Sequence, residues 1–133
     1  MSIFRIFALG LLLTAGHASA QQALPPAKVT PLLTQALADY PGKEAEIITV
    51  QYPPGGGDPV HRHNAHGFIY VLEGSIVMGV QGGQSVTLTP GQTFYEGPDD
   101  VHTVGRNASS TQPAKFLVVL LKNRDEPIFT PVP

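Results

Sequence analysis

The chain reads as all-β, a small sandwich or barrel of short antiparallel strands, and two observations predict it. Runs rich in β-branched and aromatic residues recur at near-regular spacing. Each run stops at glycine or proline, so the 14 glycines and 13 prolines mark turns rather than disorder. There is no cysteine, so no disulfide or thiolate site can contribute, and the fold itself must supply the stability.

The N-terminal stretch stands apart from this pattern. Met1 to Arg5 is a short, positively charged start and Ile6 to Ala15 is mostly apolar. Ala18-Ser19-Ala20 then gives a small-x-small cleavage pattern, followed by polar Gln21-Gln22. This is the layout of a secretory signal peptide, and the apolar run is shorter than the roughly 20 residues a membrane span needs. Cleavage after Ala20, and a periplasmic or secreted product, are expected. The 113 residues that follow suit one domain with one core. Without Arg5 the 8 basic residues become 7 against 10 acidic ones. A mildly acidic chain with no basic cluster offers no footprint for nucleic acid, and no basic amphipathic segment suits a membrane surface after cleavage.

Residues 21–45 read as a lead-in. Gln21 to Lys28, with Pro25-Pro26, is extended; Thr30-Pro31 followed by Leu32, Leu33, Ala36 and Leu37 predicts a short helix that ends before Tyr40-Pro41-Gly42. Residues 46–133 form the barrel. Glu46–Tyr52, Phe68–Leu72, Ser75–Val80, Ser85–Thr89, Thr93–Glu96, His102–Val104 and Phe116–Leu121 are its expected strands. The last is the most apolar and fits a central or interface-facing strand. The tail from Pro127 to Pro133 is apolar but proline-broken, and could lie along the barrel or across a partner subunit. Tyr70 and Tyr95 read as core aromatics, Asp99 and Asp100 as a solvated turn, and Gly55-Gly56-Gly57 as a plain turn lacking the Lys-Ser/Thr of a phosphate loop.

The chemistry gathers at His61-Arg62-His63-Asn64-Ala65-His66, which holds three of the five histidines. Alternate strand residues share a face, so His61 and His63 can aim two imidazoles at one point, and neutral imidazole is the commonest metal ligand. On a regular strand His66 points the other way, and only an irregular loop at Asn64-Ala65 would bring it round. Glu96, ahead of His102, is a candidate acid–base group or a carboxylate supporting the metal ligands.

Gly57 through Val80, with His61-x-His63 leading into Tyr70-Val71-Leu72-Glu73-Gly74, resembles the first motif of the cupin superfamily. Gly91, Pro98, His102 and Asn107 resemble the second. The local wording is similar to small single-domain bacterial cupins related to quercetin dioxygenase. The resemblance implies a jelly-roll β-barrel, here with a short N-terminal helix, and a metal held at the barrel mouth by His61, His63 and His102. The family's metal-binding glutamate falls at Gly67 in this chain, and His66 beside it is the candidate to fill the place. The second motif is one residue shorter than its common form. An all-imidazole site suits Zn, Cu, Ni or Fe over Mg or Ca, and the expected cofactor is one divalent transition metal, Fe, Cu, Ni, Zn or Mn. The expected function is a dioxygenase-like, metal-dependent oxidoreductase acting on a small organic molecule. Its rivals are a non-catalytic binder of metal or small ligand and a metal-independent sugar-binding or isomerase barrel. A homodimer is expected to cover exposed sheet edges.

Overall fold

Alternation between inward apolar and outward polar residues folds the chain into ten strands, seen in a computed structural model that describes residues 23–133. The strands are β1 (Lys28–Ala36), β2 (Lys43–Tyr52), β3 (His61–Arg62), β4 (Ala65–Glu73) and β5 (Ile76–Val80), followed by β6 (Val86–Leu88), β7 (Thr93–Glu96), β8 (His102–Asn107), β9 (Ala114–Asn123) and β10 (Thr130–Pro131). They pair into two five-stranded antiparallel sheets, ordered β1-β2-β9-β4-β7 and β10-β3-β8-β5-β6. The architecture is the jelly-roll that the sequence predicts. The signal peptide expected over residues 1–20 lies outside the described residues. Among the described residues no helix is long and apolar enough to cross a membrane.

The spine is β9, paired along its whole length with β2, from Lys43↔Asn123 to Tyr52↔Ala114, and on its other side with β4. The ambiguous apolar run at its centre alternates strictly. Phe116, Val118 and Leu120 are buried, whereas Leu117, Val119 and Leu121 face outward. The core adds Ile48, Val50 and Tyr52 from β2, Ile69 and Val71 from β4, and Ile76 and Met78 from β5. Tyr52 meets Phe116 edge-on, with ring centroids 5.1 Å apart, a geometry the ring quadrupoles favour.

Two expectations are corrected. The segment read as a short helix is β1, a strand lying antiparallel along β2 with an irregularity between Pro31 and Leu33. A seven-residue helix is marginal on its own. A strand here satisfies the otherwise open edge of β2, and Pro31 is tolerated because β1 is itself the sheet's edge. Tyr70 and Tyr95 are about half exposed on the outer face of the first sheet rather than in the core. The tail lies along the barrel: Thr130 and Pro131 pair with Arg62 and His61.

Candidate metal centre

Strand register builds the centre. In the second sheet His61 on β3 is the direct cross-strand partner of His102 on β8, and residues in that relation have side chains on the same face. His63, two residues beyond His61, shares its inward side. The three rings offer nitrogen atoms that all lie within 4.8 Å of one another. His61 and His102 are almost fully buried and His63 partly so.

The backbone then leaves one sheet for the other without changing phase. Asn64 adopts a positive φ of 48°, a conformation asparagine accepts more readily than most residues. Beyond it Ala65, Gly67, Ile69 and Val71 point inward, while His66, Phe68, Tyr70 and Leu72 point outward. The chain does bend at Asn64, but odd positions stay inside on both sides of the bend. His66 is therefore exposed, with its Nδ1 2.8 Å from the Tyr95 hydroxyl, and the structure does not bring it to the other three histidines.

A different side chain occupies the space beside Gly67. Glu96 on β7 is the cross-strand partner of Gly67 on β4 and is only 3% exposed. Its Oε1 lies 3.3 Å from His63 Nε2 and its Oε2 3.4 Å from His102 Nδ1. Asp100, by contrast, closes the turn before His102 by accepting the Gly97 N–H at 2.6 Å, as a turn carboxylate does.

Hydrogen bonds to main-chain carbonyls fix the rings. His61 Nδ1 lies 2.8 Å from the Pro59 carbonyl oxygen, and His63 Nδ1 contacts that of Ile128. A carbonyl only accepts, so each Nδ1 carries a hydrogen and each Nε2 is left free to present a lone pair. Those two Nε2 atoms face each other at 3.2 Å. Two lone pairs so placed repel unless a cation lies between them, whether a proton or a metal ion. His102 makes the same demand in another form, since neither of its ring nitrogens has a hydrogen-bond partner, and a buried polar atom left so costs about 1–3 kcal/mol. The donor set fits a divalent transition metal.

Electrostatics agree with this geometry. Burial holds His61 and His102 below the ordinary histidine range. Burial pulls His63 the same way, but its hydrogen bond and attraction to Glu96 outweigh that and leave it raised. Burial would raise Glu96, yet the hydrogen bond to His63 and the charge of the neighbouring histidines hold it lowered.

Above the centre is a cavity of about 60 Å³, walled by Ile48, Val50, Met78, Phe116 and Val118 and roofed by Ile128 and Phe129. Phe129 stacks on His61 with centroids 4.3 Å apart. Tyr52 and Asp58 add a polar spot, joined by a 2.5 Å hydrogen bond from the hydroxyl to the carboxylate. Burial and that carboxylate push the Tyr52 hydroxyl far above the tyrosine range, so it serves as a donor and not as a base. Tyr52, Asp58 and Phe129 escaped sequence reasoning. Their only signals were an inward phase on β2 for Tyr52 and, for Phe129, a large apolar residue in a proline-rich tail.

Comparison with known proteins accords with this architecture. A family model for the Cupin domain matches residues 48–120, more than half of the chain. No curated protein sequence gives a match. Among solved structures, an oxalate oxidase in complex with the substrate analogue glycolate is 22% identical, with a TM-score of 0.60, over 90% of this chain and 66% of that one. A cupin domain from Bordetella pertussis is 21% identical with a TM-score of 0.59, over 76% of this chain and 98% of that one. A DMSP lyase from Ruegeria pomeroyi is 22% identical with a TM-score of 0.58, over 66% of this chain and 43% of that one. The chain thus spans less than two thirds of the lyase and about two thirds of the oxidase, and at these identities the likeness is one of fold. Two antiparallel sheets, an inward-facing histidine triad and the matching family model make this chain a member of the cupin family.

Proposed function

We propose that the chain is an exported cupin that holds one divalent transition metal on His61, His63 and His102 and oxidises a small oxygen-bearing organic molecule in the cavity above it, with dioxygen as the oxidant. The observation that carries this is the pair of Nε2 atoms facing each other at 3.2 Å, with both Nδ1 atoms committed to carbonyls. When bound, the metal supplies Lewis acidity and a redox centre. The protein's own residues orient and select. Apolar walls exclude water, and the Tyr52 hydroxyl, held by Asp58, marks the polar end.

The size of the cavity supports a small substrate. At roughly 10–15 Å³ for each water-sized site, the 60 Å³ space admits about four to six non-hydrogen atoms. A two-carbon acid has that size, and glycolate is the analogue named for the oxalate oxidase similar in fold. The same enclosure favours one rival, a metal-binding protein without turnover, whose site the tail keeps covered. A homodimer belongs to the proposal, because β1 exposes Val29, Leu32 and Leu33 and the outer face of the same sheet exposes Phe68, Tyr70 and Tyr95. A monomer in sedimentation velocity would remove that part, and a purified product not starting near Gln21 would remove export.

The central test is calorimetric titration of the protein with Mn, Fe, Co, Ni, Cu and Zn, followed by oxygen-uptake assays on oxalate, glycolate and small diketones. One tight site is expected, abolished by His61→Ala, His63→Ala or His102→Ala and unchanged in His66→Ala. Turnover would separate the enzyme from the binder. Failure of every metal to bind would refute the function altogether.

A further inference from the structure

We infer that the carboxylate ligand of this metal centre has moved to the neighbouring strand, so that Glu96 on β7 coordinates the metal in place of a residue at position 67 on β4. The inference rests on the metal-binding reading above and sharpens it, giving a three-histidine, one-carboxylate site.

Three observations carry it. The first is room: a Cβ built on Gly67 would lie 2.9 Å from Glu96 Cγ and 3.2 Å from its Oε1. Real Cβ atoms do not approach so closely, so the Glu96 side chain occupies the volume that any side chain at 67 would need. The two positions face each other directly in the β4–β7 register, and cross-strand partners have Cβ atoms about 4.5–5.5 Å apart. A glutamate reaches as readily from one as from the other.

The second is hydrogen-bond accounting. The Ile128 carbonyl takes the Nδ1 hydrogen of His63, so neutral His63 has nothing to donate from Nε2. Yet that atom faces two acceptors, His61 Nε2 at 3.2 Å and Glu96 Oε1 at 3.3 Å. Only a cation beside His63 Nε2, a proton in the metal-free protein or the metal that replaces it, can satisfy them all. For ligand bonds of about 2.1 Å, neighbouring ligand atoms stand about 3.0 Å apart at right angles and about 3.4 Å apart at the tetrahedral angle. Both observed separations fall in that interval.

The third is burial. A carboxylate only 3% exposed is costly unless paired or bound to a metal, and its two oxygens are turned to two different histidines of the triad. With Glu96 bound, the centre carries one negative charge and mixed oxygen and nitrogen donors, which widens its preference toward Mn and Fe.

The test uses the full mature chain loaded with Mn(II) or Co(II) alone. In crystals of the Mn(II)-loaded wild type, an anomalous peak with a Glu96 oxygen at about 2.0–2.2 Å supports the inference. A peak held by the histidines, with Glu96 touching only a metal-bound water, overturns it and leaves the histidine site standing. Glu96→Gln should weaken Co(II) affinity by at least tenfold and change the visible spectrum of the bound ion. The exchange variant Gly67→Glu/Glu96→Gly should recover most of the affinity, whereas Gly67→Glu alone should not bind better than wild type. Equal affinity and an identical spectrum in Glu96→Gln would refute the inference. No metal binding by the wild type at all would instead bring down the underlying reading.

Discussion

Binding of a metal at the triad should expel one proton, and the number is the test. Near neutral pH the proton of the metal-free centre belongs to His63, the one histidine of the triad whose range is raised. His61 and His102 are held below the ordinary value of 6.5 and are neutral, and Glu96 is already ionised below its ordinary 4.5. The signs follow directly. The raised His63 stabilises the metal-free fold fully below pH 6.5, and that contribution is lost as the pH climbs through its raised value. The lowered Glu96 contributes above pH 4.5 and loses its contribution as the pH falls through its lowered value. The metal competes with the His63 proton, so apparent affinity should fall as the pH decreases, by at most about tenfold per unit for that one proton. Between pH 7 and pH 5 three ordinary histidines that must each shed a proton would cost about ten-thousandfold; with His61 and His102 both lowered, the loss here should be smaller. Calorimetry of Zn(II) or Co(II) binding in buffers of different ionisation enthalpy counts the released protons directly. A count near three, or an affinity indifferent to pH, would refute this account of the site.

Two further outcomes test the parts around it. Truncation after Glu126 removes the Ile128 carbonyl from His63 and Phe129 from His61; metal affinity should fall about 10–100-fold, the usual loss when a ligand's hydrogen-bond partner goes, with little change in far-UV circular dichroism. Lys122 is buried on β9 and pairs with Glu44 at 2.5 Å and Glu46 at 3.4 Å; Lys122→Met should cost about 1–3 kcal/mol, between an exposed and a buried pair, read as a lower midpoint in urea. Burial alone would lower Lys122, but the two glutamates outweigh it and raise it above 10.5, so the wild type should lose this stabilisation as pH rises beyond that value.

Most of the fold was legible because its information is local. Period-two alternation and Gly or Pro stops place β2 and β4 to β9 within a few residues. β1 was not legible, since Leu32, Leu33, Ala36 and Leu37 suit a helix as well as a strand, and only the open edge of β2, far along the chain, decides between them. The triad was legible for the same reason as the strands: His61 and His63 sit two apart, and the second motif pointed to His102. The direction of His66 followed from its even position, which the bend at Asn64 did not alter. The contact between Glu96 and Gly67 depends on which strands are neighbours. Its one local signal was phase: in Thr93-Phe94-Tyr95-Glu96, the glutamate falls on the same side as partly buried Phe94, an unusual place for a charge with no task.

The tail links the choice of ligand to the holding of the metal. Ile128 supplies the carbonyl that fixes His63 in the tautomer with Nε2 free, and with Phe129 it also roofs the cavity. Both depend on the tail, which is held by the short pairing of β10 with β3, by the Val132 N–H donating to the Val60 carbonyl and by the stacking of Phe129 on His61. A molecule too large for the present cavity and seated against the tail would displace Ile128 and Phe129, which line it, and displacing Ile128 would free His63 to turn or change tautomer. Large ligands are thus disfavoured twice, by volume and by a weakened metal site. A small acid that fits beneath Phe129 leaves both intact. Selectivity for small molecules therefore follows from the same carbonyl that orients the ligand, and the truncated chain should lose the two properties together.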